Sequence, residues 1–335
     1  MARTIGLSIA CLIDPDVAGQ IRSGLESSAK APNASNDRVS YDLSVIQALR
    51  RLYRRVDLVE AVEASSRTMD ELMRIKPDVV FNLACSTLPI EGSFTGCLEV
   101  LGIPYTGSGA LGIALANDKV RCRQLMQAAG IRVPRFVELA PGRPIEVDLT
   151  PPLIVKPVAS AGCAGIHRDS VARTEGEVAR LARRIWHRFG TAALCDEFIL
   201  GREFRIGTIE TPKGMQPVGI TEWKFGDAAP GWGFKTQSIV SNPRVRRARR
   251  VSRALAVLSR RDRRVLAETA RVAMAALDVR GYATMDVRMD DMGRVSVLEV
   301  NSNPGLWSGS SIWSRPSFGR NIKRIVEAAR RWPEA

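Results

Sequence analysis

The N-terminal part of the chain alternates between two periods of apolar residues, one fitting strands and one fitting helices. Arg3 to Ile13 is a short apolar run that stops at Asp14-Pro15, which predicts a buried strand. The run before Cys11 is too short for the charged and apolar regions of an export signal. Residues 14–40 are polar and rich in Ser, Asn and Ala, and predict a long loop. Tyr41 to Arg54 carries Leu43, Ile46, Leu49 and Leu52 at helical spacing. Val56–Val59 and Asp78–Leu83 predict short strands, with a helix marked by Met69, Leu72 and Met73 between them. Such alternation favours a parallel sheet with helices on its faces. Gly92 to Leu101 predicts a further helix, followed by the turn-rich stretch 102–109.

Farther along, Asp118–Ala129 predicts a helix closed by Gly130, where a left-handed backbone is wanted. A Pro-rich connection (141–152) leads to a strand at Leu153–Lys156 and a small-residue loop at Ala159–Gly165. Glu175–Phe189 predicts a helix, and Ala192–Ile199 and Glu203–Ile209 predict strands. Trp223–Asn242 reads as aromatic loop, and Arg244–Leu277 as one basic helical stretch. Tyr282–Met289 and Val295–Val300 flank Asp290-Asp291-Met292-Gly293, a hairpin signal. An irregular Gly/Ser/Trp loop (301–316) and a helix at Ser317–Arg331 complete the chain.

The 335 residues, 45% hydrophobic and 25% charged, suit two or three globular domains with a sizeable core. No apolar run is long enough to span a membrane. Six cysteines without zinc spacing predict reduced thiols in a cytoplasmic protein. A His-rich metal site or a Ser-His-Asp triad would have to rest on His167 or His187, and His187 lies in a polar helical pattern. The net charge of +14 attracts anions in general. Part of the excess is local, in Arg244, Arg246, Arg247, Arg249, Arg250 and Arg253 and again in Arg260, Arg261, Arg263 and Arg264; a solvated helical face and an anion-binding surface both fit.

The residues that suggest chemistry lie in the hairpin. Asp286 is on one strand; Glu299 and Asn301, two apart on the other, share a face. Three hard oxygen ligands on one face suit Mg²⁺. Glu299 is also embedded in Val297-Leu298-Glu299-Val300, where a carboxylate needs a cation. Lys156 ends an apolar strand, where an ammonium can meet a phosphate, and the loop around Gly162 lets backbone N–H groups approach phosphate oxygens. Cys195-Asp196-Glu197-Phe198-Ile199 with Glu203 could read an adenine edge and a ribose; an acidic edge strand would look the same.

In order and spacing these pieces resemble the D-alanine–D-alanine ligase family of ATP-grasp enzymes. The stretches that carry the likeness are Gly102–Gly109, Asn117-Asp118-Lys119, Val155-Lys156-Pro157, Glu197–Phe204, Gly281–Asp286 and Leu298–Gly305. The resemblance implies an ATP-grasp fold, α+β in character, behind an N-terminal parallel α/β domain. Expected boundaries are 1–116 for that domain, 117–200 for a central subdomain with a phosphate lid, and 201–335 for a C-terminal subdomain with a metal site. The resemblance assigns ATP phosphates to Lys119, Lys156, the Gly162 loop and Lys235. It gives the adenine to Asp196 and the backbone of Glu197 and Ile199, and the ribose to Glu203. Two Mg²⁺ ions, replaceable by Mn²⁺, fall to Asp286, Glu299 and Asn301. Gly305 would offer an oxyanion N–H, with Lys156 and Lys235 as catalytic cations, and Ser310 would hold the acceptor's carboxylate. The implied reaction joins a carboxylate to an amine through an acyl-phosphate, by a homodimer acting on small molecules, with no membrane or nucleic-acid partner.

Departures from the family pattern lie on the amino-acid side. Cys85-Ser86 stands where the family has His-Gly, Ser160-Ala161-Gly162-Cys163 replaces a Glu-Gly-Ser-Ser lid, and Thr284 replaces an arginine two residues before the metal-binding Asp. They predict a ligase whose substrates are not two D-alanines. A cell-wall D-alanine–D-alanine ligase is the alternative within the family, and a non-catalytic ATP- or nucleic-acid-binding protein the alternative of another class.

Overall fold

A computed structural model describes residues 5–26, 38–62, 66–84, 90–160, 162–314 and 316–332. Three sheets organise the chain. The first is parallel, in the order β2-β1-β3: β1 (Ile5–Ile13) lies between β2 (Tyr53–Glu60) and β3 (Val79–Asn82). Parallel neighbours need crossovers. These contain α1 (Pro15–Glu26) and α2 (Arg38–Leu52) on one side, and α3 (Ser66–Ile75) on the other.

Helix α1 corrects the expectation of a loop over 14–40. Pro15 opens it at the first helical position, where a missing N–H does no harm. Its apolar face is thin, with only Ala18 and Ile21 fully buried, and Gly19, Ser23 and Gly24 around them obscure the period. Residues 27–37 lie outside the described residues, as do Cys85 and Ser86.

Helices α4 (Ile90–Val100), α5 (Ala110–Asn117) and α6 (Lys119–Ala128) lead into the second sheet. Asp118 caps α6 by accepting from the N–H groups of Val120 and Arg121, and Gly130 takes the left-handed turn after it. The second sheet is antiparallel, in the order β4-β7-β5-β6, from β4 (Phe136–Leu139), β5 (Leu153–Pro157), β6 (Val171–Ala172) and β7 (Ala193–Glu197). Helix α7 (Glu175–Phe189) covers one face with Val178, Leu181, Ala182 and Ile185.

The third sheet has the order β10-β9-β8-β11-β12, all antiparallel: β8 (Arg202–Thr211), β9 (Gly214–Phe225), β10 (Val251–Leu255), β11 (Tyr282–Met289) and β12 (Val295–Asn301). The stretch Arg244–Leu277 is therefore not one helix. It comprises α9 (Pro243–Ala248), following the short α8 (Gln237–Ser241), then β10, then α10 (Arg260–Ala276). Arg250 adopts a positive φ of 50°, which stops α9, and Ser259 caps α10. The alternation Val251-Ser252-Arg253-Ala254-Leu255 was the strand signal hidden among the arginines. The presumed loop from Trp223 likewise begins as the end of β9.

One face of the third sheet buries Phe204, Ile206, Ile220, Met285 and Val287 against Leu266, Ala270, Ala273 and Met274 of α10. The last helix, α11 (Phe318–Arg330), returns to the first sheet, where Ile322, Ile325 and Val326 join Ile9, Ile46 and Phe81 in one core. Cys11, Cys97, Cys122, Cys163 and Cys195 are unpaired thiols. No helix among the described residues is long and apolar enough to cross a membrane.

Candidate active site

The other face of the third sheet carries the polar residues, in ladder rows. Arg253, Trp223, Glu203 and Arg288 form one row across β10, β9, β8 and β11. Leu255, Thr221, Arg205, Asp286 and Glu299 form the next, reaching β12. Gly219, Gly207, Thr284 and Asn301 form the third. Opposed residues in an antiparallel ladder project to the same side. The alternation that places hydrophobic residues on α10 thus presents these side chains together.

A cleft opens between this face and the second sheet. Lys156, Asp196, Glu203, Lys235, Asp286 and Glu299 line it together with the apolar Ile154, Phe198, Phe234 and Leu298. Phe198 stacks on Trp232 with centroids 5.6 Å apart. Arg288 donates to the carbonyls of Gly201, Gly231 and Gly233 at 2.8 Å each, which ties the 226–236 loop to the sheet. Lys235, delivered by that loop, reaches Asp286 at 2.7 Å and Glu203 at 3.4 Å. Burial works against both charges, but the ion pairs prevail. Asp286 is held below the usual carboxylate range by Arg205 and Lys235, and Lys235 is raised by Asp286.

Lys156 pairs with Asp196 at 2.9 Å, and the same carboxylate takes the fork of Arg123 from α6. Both oxygens of the proposed adenine acceptor are therefore engaged by cations. The N–H of Glu197 donates to the Arg135 carbonyl at 2.8 Å. Lys119 donates to the carbonyls of Val158 and Ser160, at the root of the small-residue loop. Burial, reinforced by Lys156 and Arg123, lowers its pKa against the raising effect of Glu299. Within the loop, Gly162 and Cys163 both take left-handed backbone; Ala161 is outside the described residues.

Asp286 and Glu299 face each other directly, and Asn301 sits one row along the same face. Two carboxylates and an amide oxygen form a hard-oxygen set that fits Mg²⁺ sharing its shell with water and phosphate. Among the described residues no three His, Cys, Asp or Glu side chains converge on a metal site, and Asn301 is not among the residues that line the cleft. A cation here would share Asp286 with Arg205 and Lys235.

The positions expected on the amino-acid side, Thr284, Gly305 and Ser310, do not line this cleft. Thr284 is buried. Gly207 and Gly219 have no room for a side chain: a Cβ would come within 2.1 Å of Ile312 Cγ2 and 2.8 Å of the Ile312 carbonyl, so the 306–314 loop presses on the sheet there. Gly305 lies against Tyr41 of α2, and Ser310 is buried in the same loop. Two residues of this network are not among the expected site residues: Arg123, on Asp196, and Arg205, on Asp286. Arg205 holds Asp286 through two bonds, Nε at 2.8 Å and Nη2 at 2.6 Å. Its signal was the alternation Glu203-Phe204-Arg205-Ile206, which puts it beside Glu203's face.

A family model for the C-terminal part of D-alanine–D-alanine ligases matches residues 125–318, and the D-alanine–D-alanine ligase of Methylorubrum populi is 31% identical over 279 residues, 77% of this chain and 83% of that protein. The chain belongs to the D-alanine–D-alanine ligase family. An uncharacterized protein, y4sG of Sinorhizobium fredii, is 29% identical over 304 residues, covering 86% of this chain and 87% of its own. Among solved structures, the D-alanine–D-alanine ligase of Bacillus anthracis complexed with ATP superposes with a TM-score of 0.72 at 18% identity, over 97% of this chain and 98% of that one. The VanG D-Ala:D-Ser ligase of Enterococcus faecalis gives 0.68 at 18%, over 97% and 100%. The fold is that of the ATP-grasp ligases.

Removing the ammonium at position 156 tests the phosphate side. Lys156→Ala is expected to lose about 1.5–3 kcal/mol of affinity for a non-hydrolysable ATP analogue, tenfold or more. Calorimetry reads this directly, and an unchanged Kd would leave Lys156 as the structural partner of Asp196 only.

Proposed function

We propose that this chain is an ATP- and Mg²⁺-dependent ligase that joins a carboxylate to an amine through an acyl-phosphate, with substrates other than two D-alanines. One observation carries the reading: Lys156, Glu203, Lys235, Asp286 and Glu299 converge on a single apolar-walled cleft. In this reading Lys119, Lys156 and Lys235 neutralise phosphate oxygens, with the Gly162 loop over them. Ile154, Phe198, Phe234 and Leu298 enclose the adenine beside Asp196, Glu197 and Ile199, and Glu203 accepts from the ribose. Asp286, Glu299 and Asn301 would hold two Mg²⁺ or Mn²⁺ ions, which when bound offset the phosphate charge. The substrate carboxylate attacks the γ-phosphorus and ADP leaves. The amine then attacks the acyl carbon and phosphate leaves, while the Gly305 N–H and Lys235 stabilise the oxyanion.

The reading of altered substrates rests on position 284. Thr284 is 3% exposed, opposite Gly207 and Asn301, so the side chain of an arginine has no ready space there. D-Alanine-dependent ADP release is therefore expected to stay below about 1% of an authentic ligase's rate in both the wild type and Thr284→Arg, a loss on the order of several kcal/mol. Robust wild-type activity would favour the cell-wall reaction instead, the second reading, which the D-alanine–D-alanine ligases among the relatives favour.

The basic stretch gives a separate test. Arg244, Arg247 and Arg250 are exposed, and no residue of α9 is buried. Changing these three to Gln is expected to alter turnover by less than about twofold, since none of them lines the cleft and exposed positions of this kind leave the fold nearly as stable. A nucleic-acid function would instead appear as wild-type binding with a steep salt dependence that the variant loses.

A further inference from the structure

The substrate side of the sheet holds cations that the nucleotide chemistry does not use. Arg253 stands on β10, the strand farthest from the metal hairpin, with its guanidinium 5.3 Å from the centre of the Trp223 ring. Among the described residues no carboxylate lies within ion-pair distance of it. Arg205 and Asp286 both act on its charge from the next row. Trp223, between the two arginine-bearing strands, is 6% exposed, and its indole N–H has no acceptor among the described residues. Arg205 gives Nε and Nη2 to Asp286, whereas the guanidinium of Arg253 and the orphan indole donor, on the same face, have no anion among the described residues.

Distance says which part of a ligand could supply it. Neighbouring strands are about 4.8 Å apart, so the backbone of Arg253 lies roughly 14 Å from that of Asp286 across β8 and β9. A group held there is the far end of a substrate whose reacting end is at the metal hairpin. The α-carboxylate of a small amino acid, bound near Ser310 or Gly305, leaves Arg253 unanswered.

We propose that Arg205, Trp223 and Arg253 form an anion subsite, and that one of the two substrates is an acidic amino acid whose side-chain carboxylate they bind. The proposal rests on the ligase reading above and names its substrate class. Charge, rather than length alone, sets the preference: a bidentate guanidinium recognises a carboxylate and gains nothing from a methyl or a hydroxymethyl group.

The test titrates glutamate, aspartate, alanine and serine, each as both enantiomers, into protein loaded with Mg²⁺ and a non-hydrolysable ATP analogue. An acidic amino acid is expected to bind at least tenfold more tightly than every neutral one. Arg253→Gln is expected to erase that preference, with circular dichroism and the analogue's own Kd as the controls for folding. Arg205→Gln weakens the same ligand, but it also releases Asp286, so Arg253→Gln is the deciding variant. Equal affinity for neutral and acidic members, no binding by any acidic one, or a preference that survives Arg253→Gln overturns the subsite. Failure of the analogue to bind sinks the ligase reading itself.

Discussion

Glu299→Gln is expected to abolish ADP formation and to leave the fold intact. Glu299 is half-buried at the rim of the cleft, and no ion pair holds it among the described residues, so removing its charge strands no partner. Its opposite number is Asp286, already shared by Arg205 and Lys235. Glu299 is thus the carboxylate of the pair free to serve a cation, and hard divalent ions depend on the charge of their ligands. Loss of that charge is expected to remove at least about 3 kcal/mol of transition-state stabilisation, a hundredfold or more in rate. Circular dichroism and the melting temperature should match wild type. Undiminished turnover would sink the metal assignment.

Arg123→Met is expected to give the largest loss of stability. Arg123 and Asp196 are each 1% exposed, and Arg123 also reaches the Leu298 carbonyl at 3.4 Å, so one side chain ties α6 to β7 and β12. Breaking a buried pair by removing one partner typically costs about 3–5 kcal/mol. Here Lys156 still compensates Asp196 in part, which puts the expected value near the lower end. The pH dependence checks the cause. Burial pushes the Asp196 pKa up, but Arg123 and then Lys156 outweigh it and hold it below the usual range. A depressed carboxylate contributes stability that is present above its unfolded pKa of about 3.9 and is lost as the pH falls toward the folded value. The gap between wild type and variant in urea unfolding should therefore be widest near neutral pH and narrow below pH 4. A gap independent of pH would assign the loss to packing alone.

The same pairs show how far the sequence could be read. Glu175–Phe189 and Tyr282–Met289 were legible to the residue, because each has an unbroken apolar period and a local stop signal. Asp286, Glu299 and Asn301 were legible as neighbours because a hairpin pairs residues close in the chain. Arg205 against Asp286 and Arg123 against Asp196 join positions 81 and 73 residues apart, and no local period encodes such a meeting. Helix α1 and strand β10 were missed for another reason. Each is short, and its composition, Ser and Gly in one and Arg in the other, outweighed a sparse apolar alternation. Arg253 sits in a run of arginines along the chain, yet in the fold it stands in the same ladder row as Glu203.

The most direct test of the ligase chemistry follows oxygen from the carboxylate to phosphate. Amino acids and hydroxy acids labelled with ¹⁸O in the carboxyl group, the acidic ones included, are incubated with the protein, ATP, Mg²⁺ and amines, and the released phosphate is analysed by mass. An acyl-phosphate transfers one carboxyl oxygen, so ADP formation is expected to be matched by phosphate carrying a single ¹⁸O. ADP accompanied only by unlabelled phosphate, or no ADP with any member of the panel, would contradict it.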